Sequence, residues 1–306
     1  MPGDALLGGT DMPSTDDVFV ANPAVGLGHL SLRWLGMRGR PVRPILAALV
    51  GAACLLVRAG PTQAQNNYEI QVYGSETVAP WTTMVELHSN VAAQGTTRTT
   101  DGVLRSQGAF HETLEITQGW TSWFETGFYV FTSIQPDTTW EWVGDHIRPR
   151  VQAPESWNLP MGLSLSAEVG YQQRQFSTDT WTFELRPIID KQWGPWYLAV
   201  NPVFDLSIKG QNSSQGFGFS PSAKVSYSVT PKVALGLEYY ASLGPVKHLD
   251  RWSDQQQQIF PVIDLELGPK WEFNFGVGFG MTSSTDGLIV KMILGYRFDW
   301  GSSEHR

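Results

Sequence analysis

The side chains able to do chemistry in this 306-residue chain recur at alternate positions rather than in a compact catalytic motif. Arg148 and Arg150 stand two apart, as do Glu184 and Arg186, and Asp264 and Glu266. Even spacing sets side chains on one face of a β-strand. The full set is Arg148, Arg150, Glu168, Glu184, Arg186, Asp190, Asp205, Glu238, Asp264, Glu266, Glu272, Lys291 and Arg297. Each lies on the polar phase of its own run. If those runs close into a tube, this phase lines a lumen. Two roles follow. Arginines on the fourth to sixth runs would find partners in acids on the ninth to eleventh, giving an internal salt-bridge network. The same separation would set a transverse field across a pore, selecting small polar or charged solutes.

Nucleophilic catalysis is poorly supported. A Ser–His pair needs both groups within hydrogen-bond reach, with an orienting acid or amide. His88 and Ser89 are adjacent and point to opposite faces. His111 and Glu115 share a face but lie roughly 13 Å apart along a strand. After residue 64 there is no His-x-Ser, Gly-x-Ser-x-Gly or His-Glu-x-x-His. Gly276, Gly278 and Gly280 alternate along a run and leave room on its inner face; they do not open a helix as a phosphate cradle would. No cofactor and no metal site is expected.

The elements that position these residues announce themselves by period two. Leu163, Leu165, Ala167, Val169 and Tyr171 alternate with Ser164, Ser166, Glu168, Gly170 and Gln172. Val233 to Tyr240 and Trp271 to Gly280 do the same. The pattern predicts antiparallel strands over 82–89, 109–117, 123–133, 144–153, 161–172, 181–191, 196–208, 217–229, 233–243, 257–267, 271–281 and 288–300. Short connections alternate with longer polar ones, the longest being Asn90–Gly108, which could fold inward. That is the habit of a closed transmembrane barrel with short periplasmic turns and long external loops. Tryptophan agrees. Trp81, Trp120, Trp123, Trp157, Trp193, Trp196, Trp271 and Trp300 fall at the short-turn ends, and Trp140, Trp142, Trp181 and Trp252 at the other. Indole favours the two membrane interfaces, whereas a soluble sandwich would bury it mid-strand.

Composition narrows the class. Charged residues are 16% and aromatics 12%, with 31 Gly and 13 Trp. No apolar stretch reaches the roughly 18–20 residues of a membrane helix, so any crossing is made by strands. Arg38, Arg40 and Arg43 precede a 13-residue apolar run, Ile45–Val57, and small residues end at Ala64. This reads as a signal peptide over 37–64, with 1–36 an upstream extension. Residues 65–81 are expected as a periplasmic N-terminal segment, within which Tyr68–Tyr73 alternates weakly and is open between a periplasmic strand, a short plug and a first strand; 82–300 is expected as the barrel and 301–306 as a tail. The lone cysteine, Cys54, falls in the leader, which removes disulfide and thiolate-metal chemistry from the mature chain. Beyond residue 64 there are 16 basic and 25 acidic residues, so nucleic acid is excluded as a partner.

The last run, Leu294-Gly295-Tyr296-Arg297-Phe298-Asp299-Trp300, resembles the closing strand of bacterial outer-membrane proteins, which the barrel-assembly machinery reads. The short tail after Trp300 departs from that pattern. Residues 66–300 resemble an uncharacterised family of Gram-negative outer-membrane barrels of porin-like or transporter-like type. The stretches Tyr68–Gly74, Arg186–Lys191 and Lys270–Gly276 carry the likeness. It implies an outer-membrane location, lipid neighbours and no particular substrate.

The expectation is therefore an all-β closed antiparallel barrel of about twelve strands, with ten to fourteen open, passing small solutes passively or with weak selectivity. A plugged structural barrel is the alternative, and a lipid-modifying enzyme the third. One feature strains the scheme. Pro149, Pro187, Pro202, Pro221 and Pro261 fall inside strands, where proline removes a ladder hydrogen bond.

Overall fold

The computed structural model describes residues 68–137 and 139–301. The upstream stretch 1–36, the leader 37–64 and the tail beyond 301 lie outside the described residues. The strands are β1 (Thr82–Gln94), β2 (Phe110–Thr121), β3 (Phe124–Ile134), β4 (Trp140–Gln152), β5 (Gly162–Gln172), β6 (Asp179–Trp193) and β7 (Trp196–Asn201). They continue as β8 (Phe204–Gly210), β9 (Phe217–Phe219), β10 (Ser222–Thr230), β11 (Val233–Ser242), β12 (Gln256–Glu266), β13 (Trp271–Gly280) and β14 (Leu288–Asp299).

All belong to one antiparallel sheet. Its order runs β5-β4-β3-β2-β1-β14-β13-β12-β11-β10-β7-β6, and β6 pairs back onto β5, which closes the ring. First and last strands zip from Thr82 opposite Asp299 to Gln94 opposite Leu288. β7 and β8 are two halves of one crossing, as are β9 and β10, so the fourteen segments make twelve crossings. Closure leaves no free sheet edge, the condition for a sheet in lipid.

The wall is inside-out relative to a soluble protein. On β2, Thr113, Glu115 and Thr117 are buried while Leu114 and Ile116 are 37% and 38% exposed. The same alternation exposes Leu165 and Val169 on β5 and Leu235 and Leu237 on β11. All twelve described tryptophans are exposed, each in a connection or within three residues of a strand end.

The prolines resolve into interruptions of the ladder. Around Pro149, β4–β5 register skips from Ile147–Val169 to Arg150–Ser166. Around Pro261, β12–β13 skips from Ile259–Phe279 to Val262–Gly276. Pro202 and Pro221 split the seventh and eighth crossings, and Pro187 faces the same break, between Leu185–Phe204 and Ile189–Val200. Each proline thus sits where one neighbouring ladder is already open. The first strand also runs on to Gln94, well past its expected end at residue 89, because Asn90, Val91 and Ala92 keep pairing with β14.

Two expectations are corrected. Of the segment expected in the periplasm, residues 68–78 lie inside the barrel instead, the short plug among the readings open for it, with Tyr68, Ile70, Val72 and Tyr73 all buried. The room inside the glycine run is taken. A Cβ on Gly278 would meet the Phe260 ring at 2.2 Å, and one on Gly276 would meet Lys291 Cε at 3.3 Å. The apolar inner residues Phe260, Val262 and Ile289 pack on Ile70 of the threaded segment.

Candidate functional site

Residues 68–79 run through the lumen with no strand partner, so their backbone groups must find side chains of the wall. They do so along their length. The Tyr68 carbonyl accepts from Thr113 Oγ1 at 2.7 Å, and the Ile70 carbonyl from Lys291 Nζ at 2.9 Å. Asn201 takes Tyr73 from both sides, its Oδ1 accepting the Tyr73 N–H at 2.8 Å and its Nδ2 donating to the Tyr73 carbonyl at 3.0 Å. Arg150 donates to the carbonyls of Gly74 and Glu76 at 3.0 and 2.7 Å. Asp190 accepts from Ser75 N and Oγ at 3.1 and 2.6 Å. Thr77 and Val78 donate to Gln152 and Glu125. Tyr68 lies toward the long loops, packed with Phe131, Phe176 and Leu104. Val78 lies toward the short turns. Leu104 belongs to the long loop after β1, which bends inward as expected and bonds to Gln175.

The Tyr73 ring is the centre of one charged cluster. The guanidinium carbons of Arg148, Arg186 and Arg150 lie 4.7, 4.8 and 5.7 Å from its centroid, a cation–π arrangement. Arg148 pairs with Glu115 at 2.6 Å and Glu125 at 3.3 Å, and Arg150 with Glu125 at 2.7 Å. Arg186 pairs with Glu184 at 2.6 Å and reaches Glu69 of the threaded segment at 3.7 Å. A second cluster joins Lys291 to Glu238, and Lys224 to Glu238 and Asp264 at 3.1 and 2.8 Å. Arg297 and Glu272 pair at 2.6 Å near the short-turn end.

The thirteen inward residues named from the sequence all reach the lumen or its rims, but they are not partnered as expected. The arginines of β4 and β6 do not answer acids across the tube. Their charges are met on the same side of the wall, by Glu125 on the adjoining β3, Glu115 one strand further on β2 and Glu184 on β6 itself. The cause is distance: strands one or two places along lie about 5 and 10 Å away, within reach of an arginine and a glutamate, whereas the opposite wall is a lumen away with the threaded segment between. A single transverse field is thereby replaced by two locally neutralised clusters. Asp205 accepts from Ser220, Glu168 bonds His146, Asp190 holds Ser75, and Glu266 lines the short-turn rim. Glu69, Glu115, Glu125 and Lys224 escaped the sequence reading. Glu115 shares its face with Thr113 and Thr117, and Lys224 with Ser222 and Ser226, so spacing alone could have found both.

Glu86, His88 and Glu115 are all buried, and each offers one donor atom within 4.8 Å of the others. Arg148 already sits on Glu115, and His88 Nε2 lies 3.3 Å from the same carboxylate. Positive charge is thus supplied there by the protein. His111 stacks edge-on against Tyr68 instead of joining Glu115.

The threaded segment divides the lumen's free space. A cavity of about 1170 Å³ opens at the short-turn end, between Ser75–Ala79, Arg150, Asp190 and Arg297. Another of about 560 Å³ opens under the long loops, lined by Tyr68, Glu69, Glu168 and Arg186. Residues 69–74 stand between them.

No family model matches the sequence, and no curated protein matches it either. Among solved structures the chain is similar to the COG4313 outer membrane channel from Pseudomonas putida F1, with a TM-score of 0.52 at 11% identity over 75% of this chain and 100% of that one. It is also similar to the KdgM porin (TM-score 0.47, 10% identity, 70% of this chain and 99% of that one). The NanC porin gives a TM-score of 0.48 at 7% identity, over 70% of this chain and 98% of that one. At such identities the likeness is one of fold. Ring closure and an apolar outer wall agree with that likeness, and the chain folds as an outer-membrane β-barrel.

Proposed function

We propose that the barrel is a narrow outer-membrane channel for small polar solutes, preferring cations, with residues 68–79 as its constriction. The observation that carries this reading is the pair of cavities reaching inward from opposite ends and meeting at one thin segment of backbone. The segment is held by side-chain hydrogen bonds, each worth about 0.5–1.5 kcal/mol net, rather than by a strand ladder. It can therefore shift without opening the wall. The cavity linings favour cations. Around the short-turn cavity seven carboxylates face Arg148, Arg150, Lys191 and Arg297; under the long loops six face Arg98 and Arg186. A lining with one sign in excess raises the local concentration of the opposite ion.

A second reading, a plugged barrel without transport, is favoured by the number of bonds the segment makes. A cross-link separates the two. Ser75 Cβ lies 3.1 Å from where a Cβ would stand on Gly162, a little inside the disulfide range, and no described residue is a cysteine. In planar bilayers the S75C/G162C pair should conduct when reduced and fall silent when oxidised. Silence in both states, with the wild type silent too, rejects the channel. A lipid-modifying activity would show as phospholipid turnover by the purified protein; Ser133 stands opposite His111 across β2 and β3, but the His111 ring packs edge-on against Tyr68.

A further inference from the structure

The outer cavity carries an excess of carboxylates that the threaded segment does not neutralise. Glu69, Glu168, Glu184 and Asp205 all line it. Arg186 answers Glu184 at 2.6 Å and Glu69 at 3.7 Å, while Asp205 is met by the hydroxyl of Ser220 at 2.7 Å. Glu168 and His146 are only 7% and 8% exposed. They bond each other through Glu168 Oε1 and His146 Nδ1. The remaining atoms, Glu168 Oε2 and His146 Nε2, have no hydrogen-bond partner. A buried polar group left unpaired is costly, and here two stand side by side on the wall of a cavity. In the neutral ring with Nδ1 donating to Glu168, His146 Nε2 is an acceptor, and in that form both open positions ask for a donor.

The wall beside them is aromatic. Tyr68 and Phe176 line the same cavity. Several acids, two vacant acceptors and ring faces together describe a host for an ammonium group. A hard divalent cation fits less well, since it wants six or more oxygens and no guanidinium nearby.

We propose that the outer cavity is a binding site for small organic cations bearing a primary ammonium group, held by Glu168, His146 and Glu184 against Tyr68 and Phe176. The proposal rests on the cation-preferring reading of the lumen and names the solute class that its outer half would select.

Titration calorimetry on the detergent-solubilised full chain tests it without requiring conduction. The probe is 1,4-diaminobutane, with butane-1,4-diol as its neutral isostere and Mg²⁺ as the inorganic control. The diamine should bind saturably and the diol should not. E168Q and, separately, D205N should each weaken the diamine at least several-fold while keeping the heat-modifiable gel mobility of a folded barrel. An asparagine at 205 can still accept from Ser220, so D205N is the variant least able to disturb folding. No diamine binding, equal binding of diol or Mg²⁺, or two folded variants that bind like the wild type would overturn the site. Binding without conductance would reject the channel and leave the site; conductance without binding would do the reverse.

Discussion

The side-chain amide of Asn201 grips the backbone of Tyr73 like a facing strand, accepting its N–H at 2.8 Å and donating to its carbonyl at 3.0 Å. Asn201 is the last residue of β7, directly before Pro202, where the wall ladder is interrupted. The break in the wall and the anchor of the lumenal segment are the same place. Asn201→Ala removes both bonds, a loss of about 1–3 kcal/mol confined to the segment. Hydrogen exchange at residues 70–75 should quicken at least tenfold and single-channel conductance should rise, with β1–β14 exchange unchanged. Unaltered exchange at 70–75 would show the anchor to be idle.

Arg148 is almost wholly buried and shared by Glu115 and Glu125. Arg148→Met strands two carboxylates beside Tyr73. Breaking such a buried network by removing one partner costs about 3–5 kcal/mol. The denaturant midpoint in detergent should drop accordingly, and the added Glu115→Gln should recover part of the loss. An R148M protein as stable as wild type would mean the carboxylates find other partners.

Leu114 faces outward at the middle of β2, flanked inward by Thr113 and Glu115. In lipid an arginine there costs about 2–4 kcal/mol. On a water-washed surface it would cost almost nothing. Unfolding of Leu114→Arg in liposomes measures the difference and reports directly on what bathes the wall.

Selectivity should follow the vestibules. Glu76 and Glu155 both line the short-turn cavity. Under a salt gradient the wild type should show a reversal potential of cationic sign, and E76K/E155K should move it toward zero or past it. A wild type that prefers anions would contradict the charge count of both cavities.

Nearly all of the wall was legible in the sequence, for a physical reason. A strand wetted by lipid on one face and by a polar lumen on the other alternates along most of its length, and Leu114 beside Glu115 or Leu237 beside Glu238 shows it in two letters. The prolines were legible as trouble but not as a solution, since a ladder gap depends on the neighbouring strand. What the sequence withheld was the lumen's content. Tyr68–Val78 bonds through backbone to side chains at positions from 90 to 291, and backbone bonding of that kind leaves no periodicity to read. The same blindness hid the partners of Arg148 and Arg150. Period two says which face Glu115 and Glu125 occupy, but the pairing was sought across the tube when it lay one and two strands along the same wall.

The threading of residues 68–79 also constrains how the molecule is made. A sealed hoop offers no side entrance, yet its occupant touches the first wall strand at Asn90, a middle one at Asn201 and the last at Lys291. If the wall curls around this segment instead of admitting it later through an open end, the β1–β14 seam, which Lys291 joins to Ile70, shuts over it last. The peptide that narrows the finished tube would serve during its construction as the mandrel.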